Sequence, residues 1–124
     1  MASMIEELLG SLPEQVRVPS PGGAGHSMQR VLHRECVQYA ALLATIRASL
    51  REAQGALAGH VQMSTAIESL CVALDAGAVP QEWGHVPGMP LALFTASLRE
   101  RLEFFEGWAV RERGGAGGPP PGVP

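Results

Sequence analysis

Apolar side chains recur every three or four residues through the middle of the chain, which is the spacing of one face of a helix. The longest such stripe predicts a single helix of about eight turns from Met28 to Leu57, with Gly59 as its C-terminal cap. Its steps are heptad-like, as in helical bundles and coiled coils. The stripe consists of Met28, Leu32, Cys36, Tyr39, Leu43, Ile46, Leu50, Ala53 and Leu57.

Two shorter helical patterns follow this stripe. Thr65 and Glu68 have the spacing of a capping box and would begin one helix, which Gly77 and Pro80 would end. A last helix is predicted over about residues 91–110, with an aromatic and leucine-rich side. No alternating pattern indicates a strand, so the fold class is expected to be all-α. The architecture would be a long helix plus two shorter helices forming a partial helical bundle.

Glycine and proline divide the chain into three regions. The 15 glycines and 10 prolines concentrate near the two ends. Residues 1–25 are predicted to hold a short helix, capped by Ser3, and a flexible Gly/Pro linker. Residues 26–113 would form the helical domain. Residues 114–124 are expected to be a disordered tail, because so few apolar side chains cannot offset the entropy lost on ordering.

Composition and charge exclude several functional classes. The formal net charge is −3, which is unlike a nucleic-acid binder that depends on basic charge. No apolar run approaches the roughly 18 residues of a membrane span, so no membrane partner is expected. The sequence contains no lysine and therefore no GxxxxGK[ST] phosphate loop. We expect no enzyme, no catalytic residue and no cofactor in this protein.

His33 and Cys36 lie three residues apart, on one face of the predicted long helix. Together with Cys71 or His60 they could be drawn as a zinc or redox site. The paired ligand motifs typical of structural zinc are missing, and buried cysteines commonly pack as small apolar residues. We therefore expect no metal site, and a metal- or redox-responsive helical protein stays as a weaker alternative.

Several short stretches, taken in order, resemble a known family. They are LLGSLP at 8–13, SMQRVLHRE at 27–35, LLATIRASL at 42–50, MS at 63–64, VPQEW at 79–83 and a final aromatic helix that includes a tryptophan. Over about residues 8–110 this series resembles the C-terminal domain of dynein heavy chains, and of the axonemal branch in particular. Ser49 is a further matching position. The matching positions expected to carry the family's packing, called the signature residues below, are Met28, Leu32, Glu35, Tyr39, Leu43, Ile46, Arg47, Leu50, Leu57, Met63, Ser64, Pro80, Trp83 and Trp108.

The resemblance implies a function without a catalytic site. The helical part of this domain would dock on the AAA+ motor ring of a dynein heavy chain and regulate it in microtubule-based movement. ATP and magnesium would belong to the parent ring, and microtubules would be reached only through the full motor. Other dynein complex subunits are implied as partners. The implied location is the cytoplasm and cytoskeleton, in the axoneme of a cilium or flagellum.

The sequence also departs from the family pattern. Full family domains continue from these helices into a β-barrel, whereas this sequence runs into GGAGGPPPGVP. On this comparison the glycine and proline cluster is expected to mark the point where a larger motor protein is cut off. An alternative from another class is a free-standing helical adaptor that self-associates through the 28–57 stripe.

Overall fold

The computed structural model describes residues 1–16, 18, 27–84 and 88–116, with only the backbone described for 27–29 and 110–116. This part of the protein forms four α-helices and one short 3-10 turn. They are α1 (Ala2–Ser11), α2 (Ser27–Leu57), α3 (Thr65–Asp75), η1 (Gln81–Trp83) and α4 (Leu91–Ala116). Extended pairing within these ranges is limited to an isolated bridge between Ala78 and Pro90. The predicted all-α class is confirmed.

The long helix α2 is the centre of the fold and contacts α1, α3, η1 and α4. The middle of its predicted stripe is buried, from Cys36 to Ala53, while Leu32 and Tyr39 are half-buried against the same core. Leu57 is 42% exposed, so the stripe leaves the core in the last turn of α2. The side chain of Met28 lies outside the described residues. The periodicity therefore predicts the core face correctly except at the end of the helix.

Glycine ends both α2 and α3. Gly59 has φ +82° and Gly77 has φ +71°, a left-handed conformation that side chains with a Cβ rarely adopt. After each glycine, the next backbone N–H donates to the carbonyl five residues before it, at 2.8 Å and 2.9 Å. This is the Schellman arrangement, and it satisfies carbonyls that the end of a helix would leave unpaired. The predicted stop signals at these two glycines are confirmed.

The helix starts differ from the sequence prediction by one or two residues. The N–H of Ile67 donates to Ser64 Oγ at 3.2 Å, so Ser64 caps α3 and Thr65 is already its first helical residue. Ser3 does not cap α1, because that helix begins at Ala2 and Met1 holds the cap position. Both hydroxyl residues can cap a helix, and the backbone geometry of the cap decides which of them does.

The N-terminal residues belong to the same core as the helical centre. Ile5, Leu12 and Val16 are buried and join the apolar cluster formed by α2, α3 and α4. The boundary predicted at residue 26 therefore separates residues that share one core. The predicted linker lies within residues 1–25, and residues 17 and 19–25 of that region lie outside the described residues.

The last helix places its predicted apolar side inward and is longer than predicted. Its backbone stays helical to Ala116, beyond the expected end at 110 and three residues into the expected tail. Two glycines in the last turn cost about 1 kcal/mol each against alanine, but extending an existing helix needs no new nucleation. Residues 117–124 lie outside the described residues, so their disorder stays a prediction. The inward side chains are Leu98, Leu102, Phe105 and Trp108, with Phe94 partly buried.

Candidate docking site

Arg47 joins the first helix to the long one. Its Nη1 donates to the carbonyl of Leu9 at 3.0 Å and to that of Leu12 at 3.2 Å. Although it is charged, the residue is only 8% exposed. The two acceptors belong to the LLGSLP segment, so two separate parts of the family-like sequence meet at this contact.

The position of the Arg47 guanidinium also has an electrostatic reason. The last carbonyls of a helix lack intrahelical donors and carry the negative end of the helix dipole. No basic residue lies in the last turn of α1. Arg47 supplies both the missing donor and the positive charge from α2, far away in the sequence. A bond to a charged donor is stronger than a neutral one, so this contact should hold α1 firmly.

Trp83 locks η1 onto α2 through Ser49. The indole Nε1 donates to Ser49 Oγ at 2.9 Å, and the same hydroxyl donates to the carbonyl of Ile46 at 2.8 Å. Trp83 is buried and its ring stacks on Phe94 of α4, with centroids 6.2 Å apart. One hydroxyl therefore satisfies the single polar atom of a large buried side chain. The VPQEW stretch and the LLATIRASL stretch therefore meet at this hydrogen bond.

An aromatic cluster holds α4 against α2. Tyr39 of α2 contacts Phe105 with ring centroids 5.6 Å apart. Phe105 in turn meets Trp108 edge to face, at 6.4 Å. Such tilted and edge-to-face pairs are the favourable geometries of aromatic rings. The signature residues Trp83 and Trp108 therefore pack inside this domain.

The remaining signature residues have varied environments. Pro80 is fully buried before η1, Glu35 is half-buried on α2, and Met63 is exposed in the α2–α3 loop. The structure thus brings together the signature residues of α2, η1 and α4, while Met63 and Leu57 stay at the surface. Ser49 is a matching position for which the sequence predicts no role, and in the structure its hydroxyl accepts the hydrogen bond from Trp83. In the sequence, the only sign of a role for Ser49 is its place inside the stretch LLATIRASL.

A groove separates the outer side of α3 from η1. We call it the α3–η1 groove, and its volume is ≈ 650 Å³. Buried Leu70, Val79 and Pro80 contribute to its lining, and Val72 stands at its rim with 70% of its side chain exposed. No other large apolar side chain of the described residues is as exposed. The groove is therefore an apolar surface that the described part of the protein leaves uncovered.

The two cysteines lie in different environments. Cys36 is buried in α2 and Cys71 is half-buried in α3. Burial raises the pKa of the Cys36 thiol, and the Glu106 carboxylate raises it further. Within the described ranges, no three His, Cys, Asp or Glu side chains gather as a metal site would require. No described helix is long and apolar enough to cross a membrane.

Comparison with known proteins finds relatives over most of the chain. The family profile for the C-terminal domain of the dynein heavy chain matches residues 1–123. Rat dynein axonemal heavy chain 12 is 31% identical over 116 residues, or 87% of this protein. Mouse dynein axonemal heavy chain 3 is 31% identical over 113 residues, or 85% of this protein. Mouse dynein axonemal heavy chain 2 is 39% identical over 85 residues, or 67% of it.

The matched region is a small part of each relative. It spans 4%, 3% and 2% of these three heavy chains, respectively. All three are axonemal heavy chains, which confirms the branch predicted from the short stretches. The contacts that connect α1, α2, η1 and α4 lie within the matched region. The protein belongs to the family defined by the C-terminal domain of dynein heavy chains.

Proposed function

We propose that this protein is a non-catalytic docking and regulatory module of an axonemal dynein heavy chain, seated on the AAA+ ring of the motor. The observation that supports it is that the polar groups of the family-like stretches form hydrogen bonds within the module. Arg47, Ser49 and Trp83 bond to other groups of the module itself, so they build a rigid body and face no substrate cleft. Rigid helices that present apolar side chains outward are suited to docking.

This role also implies which ligands the module lacks and where in the cell it acts. The module binds no ATP or magnesium, which belong to the ring, and it meets microtubules only through the complete motor. Its setting is the cytoskeleton of the cilium or flagellum, as for the axonemal heavy chains it is similar to. Other subunits of the dynein complex are secondary partners.

The packing of α2 argues against the self-associating adaptor. Leu43, Ile46 and Leu50 are fully covered by the module's own helices. A second copy that used the 28–57 stripe would first have to displace α1, η1 or α4. Docking through the outer surface requires no such opening.

The test uses a recombinant dynein motor ring that lacks its own C-terminal domain. We expect the purified protein to bind this ring in sedimentation velocity and to change the ring's ATP turnover. The protein alone should show no ATP turnover above a buffer control. Absence of binding, or ATP turnover that persists in the protein after further purification, would overturn the proposal.

A further inference from the structure

The α3–η1 groove is an apolar surface of this module that the described helices leave open. Helix α3 buries Ile67, Leu70 and Leu74 toward the core, so its inner face is fully used. Its outer wall carries the short side chains of Ala66, Ser69 and Ala73, which lie three and four residues apart and share one side of the helix. Short side chains allow a second segment to approach the backbone of α3 closely.

The dimensions of the groove fit side chains of another polypeptide. Its volume of ≈ 650 Å³ lies within the roughly 300–1,000 Å³ of ordinary ligand clefts. The exposed Val72 at the rim extends the apolar surface outward from the groove. An aliphatic side chain placed between α3 and η1 would contact the groove lining, and the rest of the segment would cover Val72.

The charge of the groove selects its occupant. Glu68 on α3 and Glu82 on η1 line the groove and are exposed. None of its lining residues in the described part of the protein is basic. Two carboxylates beside an apolar floor complement a segment that has Arg or Lys next to an aliphatic side chain, and such complementarity sets specificity and association rate.

We propose that the α3–η1 groove is the docking surface of the module, and that its occupant is a segment of the motor ring with an aliphatic side chain flanked by Arg or Lys. This inference rests on the proposed function, since it names the surface through which the module docks. A single inserted aliphatic side chain would act as the anchor, and the two carboxylates would orient the segment.

The first experiment isolates the groove with a peptide probe. A random library of short peptides displayed on phage is selected on the full-length protein, and the selected peptides are measured by fluorescence anisotropy. The variant Val72→Arg adds bulk and positive charge at the rim. Leu93→Arg is the matched control, because Leu93 is 61% exposed on α4 and does not line the groove. Equal thermal unfolding of both variants checks that the fold is kept.

We expect the selected peptides to combine aliphatic residues with Arg or Lys. They should bind the Val72→Arg variant about tenfold more weakly than the wild type, as for the loss of an interface anchor, and bind the Leu93→Arg variant normally. The double variant Glu68→Gln and Glu82→Gln should weaken binding at low ionic strength and have less effect at high ionic strength. Peptides that bind Val72→Arg as well as wild type, or that are acidic, would overturn the proposal.

The second experiment repeats the ring-binding measurement with Val72→Arg. Lost or weakened ring binding supports the groove as the docking surface. Unchanged ring binding overturns the groove and leaves the proposed function standing. If wild type does not bind the ring at all, the proposed function fails, and the peptide measurement still decides whether the groove takes an aliphatic and basic segment. A concentration-dependent dimer that Val72→Arg abolishes would make a second copy the occupant and overturn this proposal.

Discussion

The stripe of α2 and the α3–η1 groove are both apolar surfaces on helices, yet one is closed and the other is open. Leu43, Ile46 and Leu50 are buried on α2, which contacts four other elements of the module. Val72 and the wall of the groove face outward. Burial of the stripe stabilises the module, whereas the groove contributes little to stability and is available for docking. An apolar surface on this module therefore has a structural role or a binding role according to what the fold places over it.

The largest effect should come from a cavity in the stripe. Leu50→Ala removes a fully buried side chain and should lower the free energy of unfolding by about 2–5 kcal/mol. Val72→Ala, at the rim of the groove, should change it by no more than about 0.5 kcal/mol. Urea unfolding of both variants measures the difference. A similar loss for the two variants would remove the distinction between the surfaces.

The next effect should come from the contact that holds α1 over the stripe. Arg47→Met keeps much of the side-chain bulk but removes the bonds to Leu9 and Leu12, and should cost about 1.5–3 kcal/mol as for bonds to charged groups. Hydrogen exchange should speed up first in α1. Arg51→Met is the control, because Arg51 is exposed on the same helix. If α1 exchanges equally in both variants, Arg47 does not hold it.

Removing the hydrogen bond between Ser49 and Trp83 should lower the free energy of unfolding by a comparable or slightly smaller amount. Ser49→Ala leaves the buried indole N–H without its acceptor, which should cost about 1–3 kcal/mol. Ser69→Ala, in the wall of the groove, should have almost no effect on stability. A double-mutant cycle with Trp83→Phe measures the coupling directly. Additive losses from Ser49→Ala and Trp83→Phe would show that the hydrogen bond contributes nothing beyond packing.

The smallest effect concerns the thiols. Cys71 should react with a thiol reagent before Cys36, because Cys36 is buried and its pKa is raised, which leaves less thiolate. Above about pH 8.5 the unfolded protein loses a thiol proton that folded Cys36 retains, so this group should reduce stability as the pH rises. Urea unfolding of the wild type and of Cys36→Ala at several alkaline pH values measures how the free energy of unfolding changes with pH. Faster labelling of Cys36 than of Cys71 would contradict its position in the closed stripe.

Spacing along the sequence predicts the closed surface much better than the open one. The steps of three and four residues identify the buried side of α2, and the glycines at 59 and 77 identify two helix ends, because these features depend on local geometry. The bond from Arg47 to Leu9 and Leu12 joins segments that are distant in sequence, so no local pattern reveals it. The same applies to the groove. It exists because η1 lies beside α3. The position of Val72, two residues from both Leu70 and Leu74, shows only that it lies off the buried face of that helix.

The most direct test of the account is hydrogen exchange of the wild-type protein with and without the dynein motor ring. We expect added protection within residues 65–82, which contain α3 and most of η1, and no change at residues 43–50 in the stripe of α2. That result would show that docking uses the open surface and leaves the closed one undisturbed. Faster exchange at 43–50 on binding, or protection elsewhere with none at 65–82, would contradict the account.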